Sequence, residues 1–255
     1  MGVLLVIPCF NEHDRLPRDC FVRSLDEQAD LELLFVDDGS TDGTLTLLRG
    51  ICDERPGRAD VLALTANRGK PEAVRLGMLA GLERRPEFIG YWDADLATPL
   101  GAVADFLRVF ATRPEIELVI GSRVRLLGRE IDRHPLRHYV GRIFATFASL
   151  TLDLPVYDTQ CGAKLFRVSQ WTPQYFTEAF VSGWAFDVEI LARMRLERVG
   201  PSRDRVYELV LRRWSHVPGS KVKPFDFLRA YRDLIRIRRR NFPRRRAARR
   251  RTTDR

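Results

Sequence analysis

The 255-residue sequence has no uninterrupted apolar run of the length, about 18 residues, that a membrane span needs. No transmembrane helix is predicted. Its first apolar stretch, GVLLVIP, is too short for a secretory signal and lacks a basic flank and a small-residue cleavage site, so a cytoplasmic protein is expected. Cysteine is scarce. Cys9, Cys20, Cys52 and Cys161 show no CxxC spacing, which points to reduced thiols and away from a zinc site or a disulfide framework. His13, His134, His138 and His216 have no metal-ligand spacing either. Internal repeats are absent, and the one low-complexity segment is the arginine-rich C-terminus.

Charge is unevenly spread. The formal net charge is +9, yet residues 236–255 hold eleven Arg and one Asp, which leaves −1 for the rest. Any anionic macromolecular partner therefore concerns the tail: a solvated, disordered end, an anionic membrane surface or nucleic acid. The tail has no run of interleaved aromatics and no recognised nucleic-acid fold, so nucleic acid is not expected.

With 45% hydrophobic residues, the chain has ample material for a core. Short apolar runs at 3–8, 31–38, 61–65, 88–95 and 116–122 alternate with helical patterns over the first 125 residues. That alternation predicts a mainly parallel sheet covered by helices on both faces, with ligands beyond the carboxyl ends of the strands. Asn11, Glu12, Asp37, Asp38, Asn67, Lys70, Asp93, Asp95 and Arg123 all fall there. Further on, 134–155 reads as a helix apolar on nearly every side, buried or in contact with lipid. GAKLFRV and RVYELVLRRW read as strands, WAFDVEILARMRLERVG as a helix, and 225–240 as a basic amphipathic helix, docked on the domain and facing a membrane interface.

Two stretches carry chemistry. In YWDAD, Asp93 and Asp95 follow a buried strand and face the same side. Unpaired, they raise each other's pKa; a hard divalent cation removes that penalty. In FVDDGSTDGT, two acids and a glycine turn end the second strand, where a carboxylate can accept from a base N–H. The same residues also make an ordinary capped turn.

Taken with VIPCFNE, these motifs resemble glycosyltransferase family 2. The resemblance implies an α/β architecture, the GT-A nucleotide-sugar-binding fold, with a mainly parallel mixed sheet flanked by helices. It implies that Pro8, Glu12 and Asp37 line a nucleoside, that Asp38 supports that pocket, and that Asp93 and Asp95 face ribose, diphosphate and a metal, Mg²⁺ or Mn²⁺. TANRGKPEAVRLGM, DTQCGAKLFR, WAFDVEILARM and GSKVKPFDFLRAYRDL look like the polyprenyl-phosphate glycosyltransferases of that family, the dolichyl-phosphate β-glucosyltransferases among them. The chain has KPE where the usual pattern is lysine followed by small glycines, and Ala97 where mannosyl relatives often carry a metal-binding Gln.

The implied reaction is inverting transfer of glucose from a UDP-sugar donor, UDP-glucose, to a polyprenyl phosphate acceptor at an anionic membrane surface. Negative charge develops on the leaving diphosphate, and a divalent metal stabilises it. The acceptor oxygen is already anionic, so cationic guidance replaces a strong base. Arg123 and Arg137 fit that role through arginine's bidentate fork, with Lys221 a further candidate. Asp158 and Gln160 are expected at the donor sugar or the acceptor phosphate, and Lys70 in the substrate cleft. Asp95, Arg123, Arg137 and Asp158 are thus the expected catalytic set. The expected organisation is a catalytic domain over 1–224, the basic helix over 225–240 and an Arg-rich tail over 241–255, peripherally bound at the inner membrane face. The alternatives are mannosyl transfer from GDP-mannose and, from another class, non-catalytic nucleic-acid binding by the tail.

Overall fold

A computed structural model of the protein describes residues 2–132, 135–197, 204–217 and 224–241, with side chains throughout except at 135–140, 197, 224–228 and 230. In chain order the elements are β1 (Val3–Cys9), α1 (Arg18–Glu27), β2 (Leu31–Asp37), α2 (Thr44–Glu54), β3 (Ala59–Ala63), α3 (Lys70–Glu83), β4 (Phe88–Trp92), α4 (Val103–Thr112), β5 (Leu118–Ser122), β6 (Glu130–Ile131), α5 (Pro135–Leu152), β7 (Ala163–Arg167), α6 (Gln174–Thr177), α7 (Phe186–Glu197), β8 (Val206–Val210), β9 (Arg213–Trp214) and α8 (Pro224–Asn241). The main sheet has the order β3-β2-β1-β4-β7-β5-β8. β7 runs antiparallel to β4 and β5; the other pairings are parallel. This is the mainly parallel mixed sheet that the alternating pattern predicts.

Strands buried on both faces need apolar residues at every position, and β1 supplies them. Leu4 and Val6 join one core with α3, α5, α7 and α8. Val3, Leu5 and Ile7 join the other with α1, α2 and α4. In α4, Val103, Phe106, Val109 and Phe110 are buried, the helical stripe that docks such an element on a sheet. α1 has a narrower stripe, Phe21 and Leu25. Phe21 meets Phe35 edge-to-face at 5.2 Å.

RVYELVLRRW does not form one strand. β5 ends at Ser122, so β8 runs out of partner. Leu211 N–H still donates to Ser122 O at 3.0 Å, and Arg212 O then accepts from Glu130 N–H at 2.9 Å. The chain thereby passes to β9, which pairs in parallel with β6 in a separate ribbon. The third strand lies two residues earlier than the apolar run VLALT suggests, as a half-exposed edge.

α5 has two distinct faces. Phe144, Ala145, Ala148 and Leu152 are buried in the core, whereas Ile143, Phe147 and Leu150 are 54%, 48% and 67% exposed. α8 packs beside it: Phe147 and Tyr231 stack edge-on at 5.1 Å, Leu234 and Ile237 are buried, and Ser182 Oγ donates to Asp233 Oδ2 at 2.9 Å. Three arginines, Arg238, Arg239 and Arg240, occupy the last turn of α8, where positive charge suits the helix dipole. Among the described residues no helix is long and apolar enough to cross a membrane. Residues 242–255, the bulk of the Arg-rich tail, lie outside the described residues.

Candidate active site

The polar residues predicted at the sheet's carboxyl edge meet there. β1 and β2 end in register, Cys9 opposite Asp37, so the loops that follow converge. Asn11, at φ 51°, accepts from Thr41 N–H at 2.9 Å through its side-chain oxygen, and its own N–H donates to Ser40 Oγ at 3.0 Å. Glu12 N–H donates to Thr44 Oγ1 at 2.8 Å. Gly39 is left-handed, at φ +66°, and a Cβ there would come within 2.5 Å of the Ala66 carbonyl carbon. The turn after Asp38 therefore requires glycine on two counts.

Asp37 and Asp38 have different surroundings. Both are 2% exposed. Asp38 accepts from the N–H groups of Arg68 and Gly69 at 2.7 and 2.8 Å; burial nonetheless raises its pKa, and the Asp37 charge adds to the rise. It ties the β2 turn to the loop ahead of α3. Asp37 Oδ2 accepts only weakly, from Ser40 N–H at 3.3 Å, and its buried Oδ1 has no hydrogen-bond partner among the described residues. A buried acceptor left open carries a desolvation cost that a ligand N–H would remove. Pro8 is half-buried on β1 beside this pocket.

The second pair stands beyond β4. Asp93 forms an ion pair with Lys70, the first residue of α3. Burial works to raise Asp93, but Lys70, Arg123 and Lys164 outweigh it and hold the carboxyl below its ordinary value. Asp95 goes the other way, raised by burial and by the Asp93 charge. Its Oδ1 accepts from Ala97 N–H at 3.0 Å. A Cβ on Gly162 would collide with the Asp93 carboxylate, so the DTQCG loop approaches the acid pair as closely as a backbone can. Arg15 links the two halves, 3.6 Å from Glu12 and 3.9 Å from Asp95.

The chemistry of Asp93 and Asp95 fits a hard divalent cation, which would relieve the burial and the Asp93 charge that raise Asp95. Among the described residues no group of three or more His, Cys, Asp or Glu converges. The two aspartates therefore offer part of a shell, to be completed by oxygens from a bound phosphate or water. Ala97 contributes no side-chain ligand.

Arg123 leaves β5 and is held from three sides. Its Nε and Nη2 donate to Asp158 Oδ2 and Oδ1 at 2.6 and 2.8 Å. Its backbone N–H also donates to Asp158, at 3.1 Å, and its guanidinium lies 5.4 Å from the centre of the Trp214 ring. Burial works to lower its pKa, but Asp158 outweighs it and keeps the guanidinium firmly protonated. Asp158 is 5% exposed and both its oxygens are engaged. Gln160 sits two residues on; its Nε2 is buried with no hydrogen-bond partner among the described residues. Arg137 lies in the first turn of α5, its side chain outside the described residues, as is all of Lys221.

The WAFDVE acids are structural. Asp187 Oδ1 accepts from Tyr91 Oη at 2.6 Å and Lys164 Nζ at 2.5 Å. Glu189 accepts from Arg193 at 2.8 Å and from Val181 N–H at 2.9 Å. Trp184 packs edge-on against Phe144 at 4.7 Å, and His216 stacks on Trp214. Arg15, Trp214, Glu208 and Lys164 are the participants that sequence reasoning missed. Arg15, three residues after Glu12, had a local signal; the other three reach the site only through the fold.

Comparison with known proteins agrees with this fold. The profile of Glycosyl transferase family 2 matches residues 4–170. The dolichyl-phosphate beta-glucosyltransferase of Dictyostelium discoideum is 32% identical over 251 residues, covering 92% of this chain and 73% of that one. Its Drosophila melanogaster counterpart is 33% identical over 249 residues, at 91% and 73% coverage. Among solved structures, glucosyl-3-phosphoglycerate synthase from Mycobacterium tuberculosis, in complex with Mn²⁺, UDP-glucose and phosphoglyceric acid, superposes with a TM-score of 0.66 at 20% identity, covering 94% of this chain and 79% of that one. The chain belongs to glycosyltransferase family 2 and is a glycosyltransferase of GT-A fold.

Proposed function

We propose that the protein is an inverting glycosyltransferase that moves glucose from UDP-glucose to a polyprenyl phosphate of the dolichyl type at a membrane surface. The names of its relatives support the sugar and the acceptor class, and the Mn²⁺ and UDP-glucose complex of the solved neighbour supports the donor. The observation that carries the reading is the clamp on Arg123. A guanidinium fixed at the cleft, beside a carboxylate with both oxygens engaged, suits an acceptor that brings its own negative charge and needs no base.

In this reading the open oxygen of Asp37 accepts from the uracil N–H, and Pro8 and Glu12 border the nucleoside. Asp38 braces the pocket through Arg68 and Gly69. Lys70 and Gln160 face the donor. Asp93 and Asp95 would hold Mg²⁺ or Mn²⁺, which would supply positive charge to offset that of the departing diphosphate. Arg123, with Arg137 and Lys221, steers the acceptor phosphate so that its oxygen attacks the anomeric carbon opposite the leaving group. The C1–oxygen bond to UDP breaks, and an α-linked donor yields a β-linked lipid phosphate sugar. The exposed apolar stripe of α5 and the arginines of α8 support a peripheral position of this cleft against an anionic bilayer, on the inner face, with the Arg-rich tail adding charge. Titration with UDP and GDP in the presence of Mn²⁺, followed by a donor screen on a polyprenyl phosphate, tests the assignment. UDP and UDP-glucose are expected to win; a preference for GDP and GDP-mannose would overturn it.

A further inference from the structure

β8 is an edge strand of otherwise apolar character, Val206, Tyr207, Leu209 and Val210, with one charge in its middle, Glu208. Alternation puts Glu208 on the same face as Val206, which packs into the core containing α5 and α7. There, half-buried, it makes no ion pair among the described residues; the salt bridge next to it is between Arg123 and Asp158. Its two carboxylate oxygens instead accept from two successive backbone N–H groups, Tyr157 at 2.7 Å through Oε2 and Asp158 at 2.7 Å through Oε1. Burial raises the pKa of this carboxyl against those two hydrogen bonds, with the Asp158 charge adding to the rise. An acid placed here is costly, and an apolar residue would suit the strand better.

The segment that Glu208 grips stands between two arginines. On one side Asp158 clamps Arg123 through both oxygens. On the other, the guanidinium of Arg142, from α5, lies 3.5 Å from the centre of the Tyr157 ring and donates to Tyr157 O at 3.4 Å. Residues 157–158 thus form a strut from the phosphate-steering arginine to the helix that presents the exposed apolar stripe. Without Glu208 its two N–H groups would be left without acceptors, and the Asp158 carboxylate would lose its fixed origin.

We propose that Glu208 is a positioning residue for the acceptor phosphate. It sets the geometry of Arg123 through Asp158 and couples it to α5 through Tyr157 and Arg142. This rests on the reading of Arg123 as the acceptor's guide. Glutamine at 208 keeps one acceptor oxygen but turns an NH₂ group toward the second backbone N–H, so one charge-assisted bond becomes a donor–donor clash.

The test is isothermal titration of citronellyl phosphate, a short soluble isoprenyl phosphate, into the full chain and its Glu208→Gln, Asp158→Asn and double variants. UDP with Mn²⁺ is titrated alongside, and thermal unfolding confirms that each variant is folded. Glu208→Gln and Asp158→Asn should each weaken isoprenyl phosphate binding about tenfold. UDP binding by Glu208→Gln should stay unchanged. The double variant should bind little worse than the weaker single one, since both break the same strut. If Glu208→Gln binds like the wild type while Asp158→Asn does not, Glu208 is merely structural and the proposal is overturned. Effects that multiply, or equal loss of UDP affinity, also overturn it. Should the wild type itself not bind the isoprenyl phosphate, the acceptor reading fails, and the proposal with it.

Discussion

Arg123 and Asp158 form a bidentate pair, Nε and Nη2 on the two carboxylate oxygens at 2.6 and 2.8 Å, and both members are largely buried. The pair fixes the plane of the guanidinium and leaves Nη1 outside the clamp. Lysine keeps the charge but has no fork, so Arg123→Lys breaks the geometry while preserving the electrostatics. The expected result is a loss of about tenfold or more in transfer, expressed as a raised KM for the lipid phosphate. UDP affinity should hold. Steady-state kinetics with each substrate varied in turn checks this; an equal fall in UDP affinity would place Arg123 in the donor site.

Asp93 and Asp95 are expected to be needed separately. Asp93→Asn removes the partner of Lys70 and half of the proposed cation-binding pair; Asp95→Asn removes the other half. Each should abolish transfer and weaken Mn²⁺ binding, measured directly by titration without donor. Chelation with EDTA should stop the wild type reversibly. The fold should survive Asp95→Asn, which removes a carboxyl that burial and the Asp93 charge raise, whereas Asp93→Asn gives up the pairing with Lys70 and should cost some stability. Full activity in EDTA would sink the metal assignment.

What the sequence makes legible is whatever is local. Asp37, Asp38, Asp93 and Asp95 end apolar runs, so the strand pattern alone delivers them to one edge. The split of RVYELVLRRW was not legible, because it depends on where β5, some eighty residues earlier, stops offering hydrogen bonds. Glu208 reads in sequence as the polar member of an alternating strand; only the fold brings Tyr157 and Asp158 to it. The WAFDVE motif shows the opposite limit. Its acids, Asp187 and Glu189, neutralise buried cations, Lys164 and Arg193; the i,i+4 spacing of Glu189 and Arg193 announces one pair, but nothing local announces the other. Likewise α5 reads as apolar all round, and only packing divides it into a core face and an exposed one.

That buried pair supports a stability prediction. Lys164 and Asp187 are 0% and 6% exposed, with Tyr91 completing the cluster. Removing one partner leaves a charge uncompensated in the core, at a cost of about 3–5 kcal/mol. Lys164→Met should therefore destabilise strongly in denaturant unfolding, whereas Lys164→Met with Asp187→Leu should recover much of the loss. Equal destabilisation by both would mean that the pair contributes more than mutual neutralisation.

Glu72 gives a pH dependence. Its hydrogen bonds to Arg75, at 2.7 and 2.8 Å, hold its carboxyl below the ordinary value of 4.5. Arg75 in turn donates to the carbonyls of Phe176 and Thr177, tying α3 to the end of α6. A depressed carboxyl pKa means that the unfolded state binds the proton more tightly. The stabilisation is thus fully present above pH 4.5 and is lost as pH falls through the lower, folded value. Glu72→Gln should remove on the order of 1 kcal/mol at neutral pH and flatten the stability curve in that acid window. Parallel curves for the two proteins would show that the pair does not report on folding.

The proposed membrane contact can be tested without touching the cleft. Ile143 and Leu150 project from α5 on the side away from the core, 54% and 67% exposed, and Phe147 between them packs on Tyr231 of α8. Apolar side chains grouped on one helix face, beside a helix ending in three arginines, suit an anionic interface, where apolar area and positive charge both add to binding. Ile143→Ser with Leu150→Ser removes apolar surface that contributes little to the fold, so thermal unfolding should shift little. Co-sedimentation with vesicles containing phosphatidylglycerol should fall several-fold, and transfer to a bilayer-embedded polyprenyl phosphate should fall with it. Transfer to citronellyl phosphate should be unchanged, because Arg123 and its clamp are intact. Added salt should further weaken what binding remains, since the arginines of α8 then dominate it. Undiminished vesicle binding by the double variant would show that α5 does not face the lipid.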